Sequence, residues 1–495
     1  MRVNHRSLNR RSFLAATAAT GFVSAAPSLL LPRPSWAADP AVTTLRAETR
    51  TIEVHGKSAK VFGLRQPDGT HGLFAEAGQR FRVSLENATG EETLIHWHGL
   101  TPPWRQDGVP DKSQPALQPG ETYEYDFPLE RAGTNWMHSH KGLQEQRLLA
   151  APLIVRDPAE AGEDVQEVVV MLHDFTFRDP AEILAELQEH GHGDHGDHGG
   201  HGMDHGDGHG GGHGDHGGHG DHAMDVHLHD VDYDAFLAND RTLEDPEVHR
   251  VERGGKVRLR LINAATATNF WIDLDALEGR LIAVDGRRVQ PVNGSRFPVA
   301  ISQRLDILID LPGEQGAWPI FAQQEGERER TGFVLATKEG RISKLAERAG
   351  HAAKAVDLSL EKRLRAVSPL SDREADRTHT MNLTEAANYT WKLDGAVFGE
   401  HEPLVVREGE RMEITFADDT TMAHPMHLHG HHFQVVAIDG ERFAGAMRDT
   451  VLVPAQGSVT IAFDADNPGR WALHCHQLYH MAGGMMTALQ YEGVV

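Results

Sequence analysis

Hydrophobic and polar residues alternate in three stretches of the chain that share one plan. Residues 77–85, 253–261 and 408–416 each begin with a glycine-containing turn and continue as a strand with one polar and one apolar face. Many short strands separated by turn residues, with few helical stretches, are typical of β-sandwich domains. The middle copy carries no histidine between His249 and His351, so it is predicted to be a metal-free spacer. The pattern predicts an all-β chain of three related domains.

The length of the chain agrees with this number, because 495 residues are too many for one hydrophobic core. We place the domains at residues 40–160, 165–345 and 355–495. A tract rich in His, Gly and Asp, residues 190–229, interrupts the second domain and contains 13 histidines. It lacks the apolar residues of a core, so we expect it to be disordered without bound metal. A short helix is predicted just before it, at residues 180–189.

The N-terminal segment predicts export to the periplasm. A twin-arginine pattern at residues 9–14 precedes an apolar stretch and a small-x-small cleavage site at residues 35–37, so residues 1–37 are predicted to be a signal peptide. The formal net charge of −24 argues against nucleic acid or an anionic membrane as a partner. No other segment is apolar for long enough to anchor the chain in a bilayer. We expect a monomer.

Four His-x-His pairs form the most specific pattern in the chain. One such pair is expected by chance among the 20 histidines outside the tract, so a lone pair would mean little. Because side chains alternate along a strand, each pair would present both imidazoles on one face. Eight imidazoles can hold three metal ions, with three imidazoles on each of two ions and two imidazoles on the third. The pairs are His96 and His98, His138 and His140, His427 and His429, and His474 and His476.

The only cysteine, Cys475, lies inside the last pair and would point to the opposite face of its strand. A single cysteine excludes an internal disulfide, and metal ligation would explain it in an exported chain. A thiolate with two imidazoles and a weak thioether is the ligand set of a blue-copper centre, and His424, His480 and Met485 could complete it. The first domain has Ser139 in the corresponding position. A buried free cysteine among incidental histidines is the alternative.

Taken together, these motifs resemble in order and spacing those of the multicopper oxidases, the family of laccases, ascorbate oxidase and bacterial copper-tolerance oxidases. The resemblance covers nearly all of the predicted mature chain. It implies three cupredoxin-like Greek-key β-sandwich domains and four copper ions: one type 1, one type 2 and a type 3 pair. The implied type 1 ligands are His424, Cys475, His480 and axial Met485. The implied type 2 ligands are His96 and His427. The implied type 3 ligands are His98, His138 and His476 on one ion, and His140, His429 and His474 on the other.

The resemblance also implies an oxidase that takes single electrons from a substrate and reduces dioxygen to water. Cys475 would pass the electrons to its flanking histidines. Asp107 lies where the family has a carboxylate near the type 2 copper, and its alternative role is to form a turn. Many laccases carry a second acid after the last type 1 histidine, but this chain has Met481 there. Glu145 is a candidate for that role, and a solvated loop charge is the alternative.

Three hypotheses remain for the function of the chain. Residues 141–146 and 477–481 look like those of periplasmic copper-resistance oxidases, which favours oxidation of Cu(I), with additional copper ions on the His-rich tract. The second hypothesis is a laccase that oxidises phenols or aromatic amines. The third is a non-catalytic periplasmic copper store, although such a scaffold would not need a cysteine between two histidines. A solvated linker with opportunistic metal affinity is the alternative for the tract.

Overall fold

The computed structural model describes residues 41–110, 112–190 and 226–494. These residues form six β-sheets and two α-helices, α1 (Pro180–His190) and α2 (Leu478–Ala482), of which α1 confirms the predicted helix. None of the helices in the described part of the chain is long and apolar enough to cross a membrane. The predicted signal peptide and residues 191–225 of the His-rich tract lie outside the described residues, so both interpretations remain predictions.

The first sandwich consists of two four-stranded sheets, ordered β2-β1-β4-β6 and β3-β8-β7-β5. Side chains from both sheets form one hydrophobic core cluster, as the alternating strands require. Its strands are β1 (Thr43–Val54), β2 (Lys57–Arg65), β3 (Leu73–Glu76), β4 (Arg80–Ala88), β5 (Ile95–His96), β6 (Thr122–Pro128), β7 (Gly133–Ser139) and β8 (Ala150–Arg156).

The second sandwich pairs a six-stranded sheet, β10-β9-β12-β17-β14-β15, with a five-stranded sheet, β11-β19-β18-β13-β16. Both sheets again contribute to one core cluster. Its strands are β9 (Gln166–Phe175), β10 (Ala235–Ala238), β11 (Val248–Arg250), β12 (Lys256–Asn263), β13 (Phe270–Asp273), β14 (Gly279–Val284), β15 (Arg287–Gly294), β16 (Arg296–Val299), β17 (Arg304–Asp310), β18 (Ala317–Gln324) and β19 (Arg330–Ala336).

The third sandwich pairs a seven-stranded sheet, β21-β20-β23-β29-β25-β26 with β27 beside β25, and a five-stranded sheet, β22-β31-β30-β24-β28. One core cluster draws on both. Its strands are β20 (Arg377–Ala386), β21 (Thr390–Leu393), β22 (Leu404–Val406), β23 (Arg411–Asp418), β24 (His424–Leu428), β25 (Phe433–Ile438), β26 (Glu441–Arg442), β27 (Met447–Arg448), β28 (Thr450–Val453), β29 (Ser458–Asp464), β30 (Arg470–Cys475) and β31 (Met486–Tyr491). The all-β prediction is confirmed, whereas the domain limits remain predictions.

The three alternating stretches of the sequence become equivalent strands, β4, β12 and β23. Each pairs in parallel with the first strand of its sandwich and antiparallel with a later one. The glycine of each preceding turn, Gly78, Gly254 or Gly409, has a positive φ, a conformation that glycine adopts without steric cost. The repeated sequence pattern therefore corresponds to the same turn and the same strand in each of the three sandwiches.

The polar face of β12 is buried, although its alternating pattern predicts an exposed one. Arg260 lies between the first and second sandwiches: it donates to the Thr134 hydroxyl of β7 at 2.9 Å, and to Glu167 Oε1 and Asp306 Oδ2 at 2.7 Å each. Arg258 forms ion pairs with Glu160 and Glu163. Charged side chains can be buried when they are paired in this way. The polar positions of β12 thus serve contacts between sandwiches.

Candidate metal centres

Two pairs of strands position the histidine motifs in the same way in the first and third sandwiches. In the first, His96 on β5 lies opposite His138 on β7. In the third, His427 on β24 lies opposite His474 on β30. The same register places Ser139 opposite Ile95 and Cys475 opposite Met426. The proposed correspondence of Ser139 and Cys475 therefore agrees with the strand pairing.

The second histidine of each pair lies one or two residues beyond the end of its strand. The backbone ladder nevertheless continues, because the N–H of His140 donates to the Leu94 carbonyl at 3.0 Å and that of His476 to the Pro425 carbonyl at 2.7 Å. The N–H of His429 donates in the same manner to a carbonyl of the neighbouring strand. These bonds hold the second imidazoles near the first ones.

All eight paired histidines converge between the first and third sandwiches. Nε2 of His474 lies 3.0 Å from Nε2 of His429 and 3.5 Å from Nε2 of His140. Nε2 of His138 lies 3.4 Å from Nε2 of His476. Groups whose ligand atoms lie within 4.8 Å of one another include His96, His427 and His429; His96, His98 and His138; and His140, His429 and His474.

The imidazole nitrogens are arranged as metal ligands require. Nε2 of His96, Nδ1 of His98 and Nε2 of His427 are buried without a hydrogen-bond partner among the described residues. The other ring nitrogen of each contacts an oxygen: Nδ1 of His96 lies 2.9 Å from the Asp107 carbonyl, and Nδ1 of His427 lies 2.8 Å from the Asp449 carbonyl. A proton held on the outer nitrogen leaves the inner lone pair available for a metal ion.

Burial favours the neutral form of six of the eight paired imidazoles, as ligation requires. It is the main cause that lowers the pKa of His474 to about 3. Burial and the neighbouring imidazoles hold the pKa of the other perturbed members well below the ordinary value; these are His98, His140, His427, His429 and His476. Neutral imidazoles whose lone pairs have no protein partner fit copper ions.

Asp107 lies within the histidine cluster and is buried. Its Oδ2 accepts a hydrogen bond from Nδ1 of His429 at 2.8 Å, and its Oδ1 lies 3.2 Å from Nδ1 of His96. Gly108 follows with a positive φ, and a Cβ there would lie 1.8 Å from the Ile95 carbonyl oxygen. The residue after Asp107 must therefore be glycine for the turn to approach β5 so closely. Asp107 thus forms the turn and contacts the histidine cluster at the same time.

Glu145 is buried beside the cluster, which excludes the solvated loop charge. Its Oε2 lies 3.0 Å from Nδ1 of His138, which also contacts the Ser139 carbonyl, and its Oε1 lies 3.9 Å from Nδ1 of His476. Oε1 has no hydrogen-bond partner among the described residues. The carboxylate thus lies close to two of the paired histidines, and these are not the two that Asp107 contacts.

Cys475, His424 and His480 form a second, separate group. The Sγ of Cys475 lies 3.7 Å from Nδ1 of His424 and 3.7 Å from Nδ1 of His480, and the two nitrogens are 3.1 Å apart. Met485 is buried in the same core cluster, and its carbonyl accepts from the Cys475 N–H at 3.0 Å. Burial raises the pKa of the Cys475 thiol, so a bound metal ion would have to supply the charge that stabilises the thiolate.

Asp230 is a site residue that the sequence analysis did not identify. Its Oδ2 accepts from Nε2 of His480 at 2.9 Å, from the hydroxyl of Tyr389 at 2.6 Å and from Nε2 of Gln477 at 2.5 Å. The ring of Trp391 stacks on His480 with centroids 3.8 Å apart. Asp230 directly follows the His-rich tract, and that neighbourhood contains several acids, so no local signal distinguishes it.

The segments on both sides of residues 191–225 pack on this second group. Ile183 and Leu187 of α1, together with Val231, belong to the same core cluster as Cys475. The N–H of His227 donates to the Thr421 carbonyl at 3.0 Å. His229, the last histidine of the tract, uses both ring nitrogens in contacts with Gln324 and with the Glu325 carbonyl. The described residues before and after residues 191–225 thus contact the third sandwich, and His229 also contacts the second.

The methionines of the third sandwich are mostly part of its core. Met422, Met426, Met447 and Met486 are buried, whereas Met481 is partly exposed. Packing is the common role of methionine, and these side chains fit it.

Comparisons with known proteins agree with this geometry. Three family models, each described as multicopper oxidase, match residues 48–160, 166–340 and 372–493. The chain is 30% identical to the multicopper oxidase MmcO of Mycobacterium tuberculosis, over 98% of this chain and 97% of that protein. It is 26% identical to copper resistance protein A of Escherichia coli, over 84% and 86% of the two chains.

A solved structure with the same fold is the multi-copper oxidase from Pseudomonas thermotolerans, with a TM-score of 0.66 and 24% identity over 90% of this chain and 98% of that one. The three sandwiches are accordingly cupredoxin-like. The fold, the three matching family models and the relative of nearly equal length lead to one conclusion. The chain belongs to the multicopper oxidase family and is a copper-dependent oxidoreductase.

Proposed function

We propose that this multicopper oxidase couples four one-electron oxidations of Cu(I) to the reduction of dioxygen, with the balance of four Cu(I), one dioxygen and four protons giving four Cu(II) and two waters. Its role would be copper tolerance in the periplasm. Four copper ions would accept the electrons singly and deliver them to dioxygen. The proposed type 1 ligands are His424, Cys475, His480 and Met485. The proposed type 2 ligands are His96 and His427. The proposed type 3 ligands are His98, His138 and His476, and His140, His429 and His474.

The residues around these ligands suggest how the chain would carry out the reaction. Cys475 lies between His474 and His476, so its backbone connects the two groups of ligands covalently. Asp107 and Glu145 contact different histidines of the cluster, and each carboxylate would supply a proton for the reduction of dioxygen. Burial of both acids excludes bulk water from their contacts with the imidazoles.

The observation that favours Cu(I) over a phenol is that Asp230 buries the imidazole of His480. The side chains of His480 and Asp230 are both 0% exposed, and Asp230 accepts the outer N–H of the imidazole. A phenol could reach this edge only if the segment of Asp230 and Val231 moved away. A small cation needs a much narrower opening than a phenol, and the carboxylate of Asp230 would attract it towards His480.

Three further features support the copper proposal. The formal net charge of −24 would attract cations to the surface. Relatives that cover most of this chain are named copper resistance protein A. The ten histidines between residues 191 and 225 could bind additional copper ions, and the described residues on both sides of that segment pack in the core of the third sandwich together with Cys475.

The test compares oxygen uptake with Cu(I) and with a simple phenol, on the copper-loaded protein. We expect a higher kcat/KM for Cu(I). Asp230→Asn keeps an oxygen for His480 but removes the charge, and should lower kcat/KM for Cu(I) about tenfold while the blue absorption persists. The matched control is Asp232→Asn, an exposed acid two residues away, which should leave both activities unchanged. Replacing the ten tract histidines with serine should reduce only the copper bound beyond four ions.

Two results would contradict the proposal. Phenol turnover far above Cu(I) turnover, with neither changed by Asp230→Asn, would favour a laccase that acts on phenols or aromatic amines. Absence of oxygen uptake with either substrate, in protein that holds its copper, would favour the non-catalytic copper store.

A further inference from the structure

Arg304, the first residue of β17, connects the second sandwich to the other two. Its side chain is fully buried. Nε–H donates to the Thr134 carbonyl of β7 at 3.1 Å, and Nη1 donates to the Ser302 carbonyl at 3.0 Å. The guanidinium also holds both oxygens of Asp449, from Nη1 to Oδ1 at 2.7 Å and from Nη2 to Oδ2. One side chain from the sandwich without histidine ligands thus contacts all three sandwiches.

Asp449 in turn contacts two of the paired histidines. Its Oδ1 accepts from Nε2 of His98 at 3.1 Å, and its backbone carbonyl accepts from Nδ1 of His427 at 2.8 Å. The hydroxyl of Thr450 donates to Oδ1 at 3.1 Å and lies close to both histidines. The two imidazoles are stacked, with ring centroids 3.8 Å apart and an angle of 12° between the planes.

These contacts select a different tautomer for each ring. A neutral imidazole carries one N–H, and the oxygen that accepts it decides which nitrogen keeps its lone pair. The acceptor on Nε2 of His98 leaves Nδ1 free, whereas the acceptor on Nδ1 of His427 leaves Nε2 free. Both inner nitrogens are buried without a hydrogen-bond partner among the described residues. Residue 449 therefore directs two stacked histidines to use opposite ring nitrogens.

The orientation of the Asp449 carboxylate depends on Arg304. A bidentate guanidinium fixes the plane of a carboxylate, which the point charge of a lysine does not. Arg304 is itself held by Asp285, which accepts from its backbone N–H at 2.9 Å and from Nη1 of Arg448 at 3.0 Å. Arg448 also donates to Glu361 at 2.8 Å. The buried charges alternate in sign along this series, so each has a partner.

We propose that Arg304 is a positioning residue of the histidine cluster: it fixes the Asp449 carboxylate so that His98 presents Nδ1 beside His427, whose Nδ1 is held by the Asp449 backbone carbonyl. The inference rests on the proposed ligand assignment. It gives the second sandwich a role in the metal centre although that sandwich supplies no ligand to it. Loss of a contact that orients a metal ligand commonly lowers metal affinity about 10- to 100-fold.

The test uses Arg304→Lys and a matched control, Arg260→Lys. Arg260 is also a buried arginine of the second sandwich, and it also contacts Thr134 and a buried aspartate, but it touches neither Asp449 nor a paired histidine. Copper retained per chain is measured during competition with a chelator, together with the type 2 electron paramagnetic resonance spectrum and the blue absorption. We expect Arg304→Lys to lose cluster copper at least tenfold more readily than the control and to keep its blue absorption.

Equal copper retention and unchanged type 2 spectra in both variants, with a similar fall in Tm, would overturn the proposal and leave Arg304 a structural ion pair. If Arg304→Lys does not fold, Asp449→Asn replaces it, because asparagine keeps the shape and an oxygen for His98 but breaks the bidentate pair. The same selective loss is expected there, and full retention would overturn the proposal. Wild-type protein that shows blue absorption but never binds cluster copper would instead refute the ligand assignment itself.

Discussion

Glu145→Gln separates the supply of protons from the positioning of a ligand. In the native protein, Oε2 of Glu145 lies 3.0 Å from Nδ1 of His138. Glutamine keeps the size of the side chain and one oxygen within reach of that nitrogen. The contact that orients His138 should therefore survive, and copper content should not change. What is lost is an acid that can carry a proton, and such groups contribute about 10²- to 10⁴-fold to a rate. We expect kcat to fall about 100-fold, which corresponds to about 3 kcal/mol in the barrier.

The assay is oxygen uptake under saturating substrate, normalised to copper bound per chain. The control is Glu91→Gln, an exposed acid whose partner is Arg147 and which does not contact the cluster. The blue absorption should be the same in all three proteins, since Glu145 does not contact the group of Cys475. A kcat that is unchanged at full copper occupancy would refute the proton role. A fall in kcat that matches a loss of copper would assign Glu145 to positioning alone.

Two further predictions concern Cys475, a proposed type 1 ligand, and the response to acid. Cys475→Ser should abolish the blue absorption and turnover while up to three coppers stay bound, and measurable turnover in that variant would contradict the proposed route of electrons. Burial lowers the pKa of His173 to about 4, against about 6.5 when unfolded, so the unfolded chain binds more protons between these values and stability falls as the pH drops below about 6.5. The contribution lost between pH 7 and pH 5 is about 2 kcal/mol. His173→Gln should reduce the fall in Tm over this interval, whereas the exposed His351→Gln should not; equal falls in both would contradict the assignment.

The repeated strands and the histidine pairs could be predicted because their signals are local. Alternation of polar and apolar residues, with a glycine turn before it, is enough to place β4, β12 and β23 in equivalent positions. The spacing of each His-x-His pair likewise brings two imidazoles to the same end of a strand. The sequence also predicts Ser139 as the counterpart of Cys475, and the register of β7 and β30 agrees with it.

The contacts that surround the ligands could not be predicted, because they join residues far apart in the chain. Asp449 lies 351 positions from His98 and 145 from Arg304, and Asp230 lies 250 from His480. Aspartate and arginine are common surface residues, so neither has a pattern that marks it as buried. Glu145 was ambiguous for the same reason, since its loop position agrees equally well with exposure and with contact to His138.

The prediction that the second sandwich is a spacer illustrates the difference between local signals and contacts between distant residues. The absence of histidines between residues 249 and 351 is informative about ligands, because a ligand must be a particular residue type. It says nothing about how a ligand's imidazole is oriented, because any pair of buried, oppositely charged side chains can hold the outer nitrogen of that imidazole. Arg304, which Asp285 holds, fixes the Asp449 carboxylate that contacts Nε2 of His98. If the proposal holds, a sandwich without metal ligands still influences the orientation of the site, because Arg304 reaches it through Asp449.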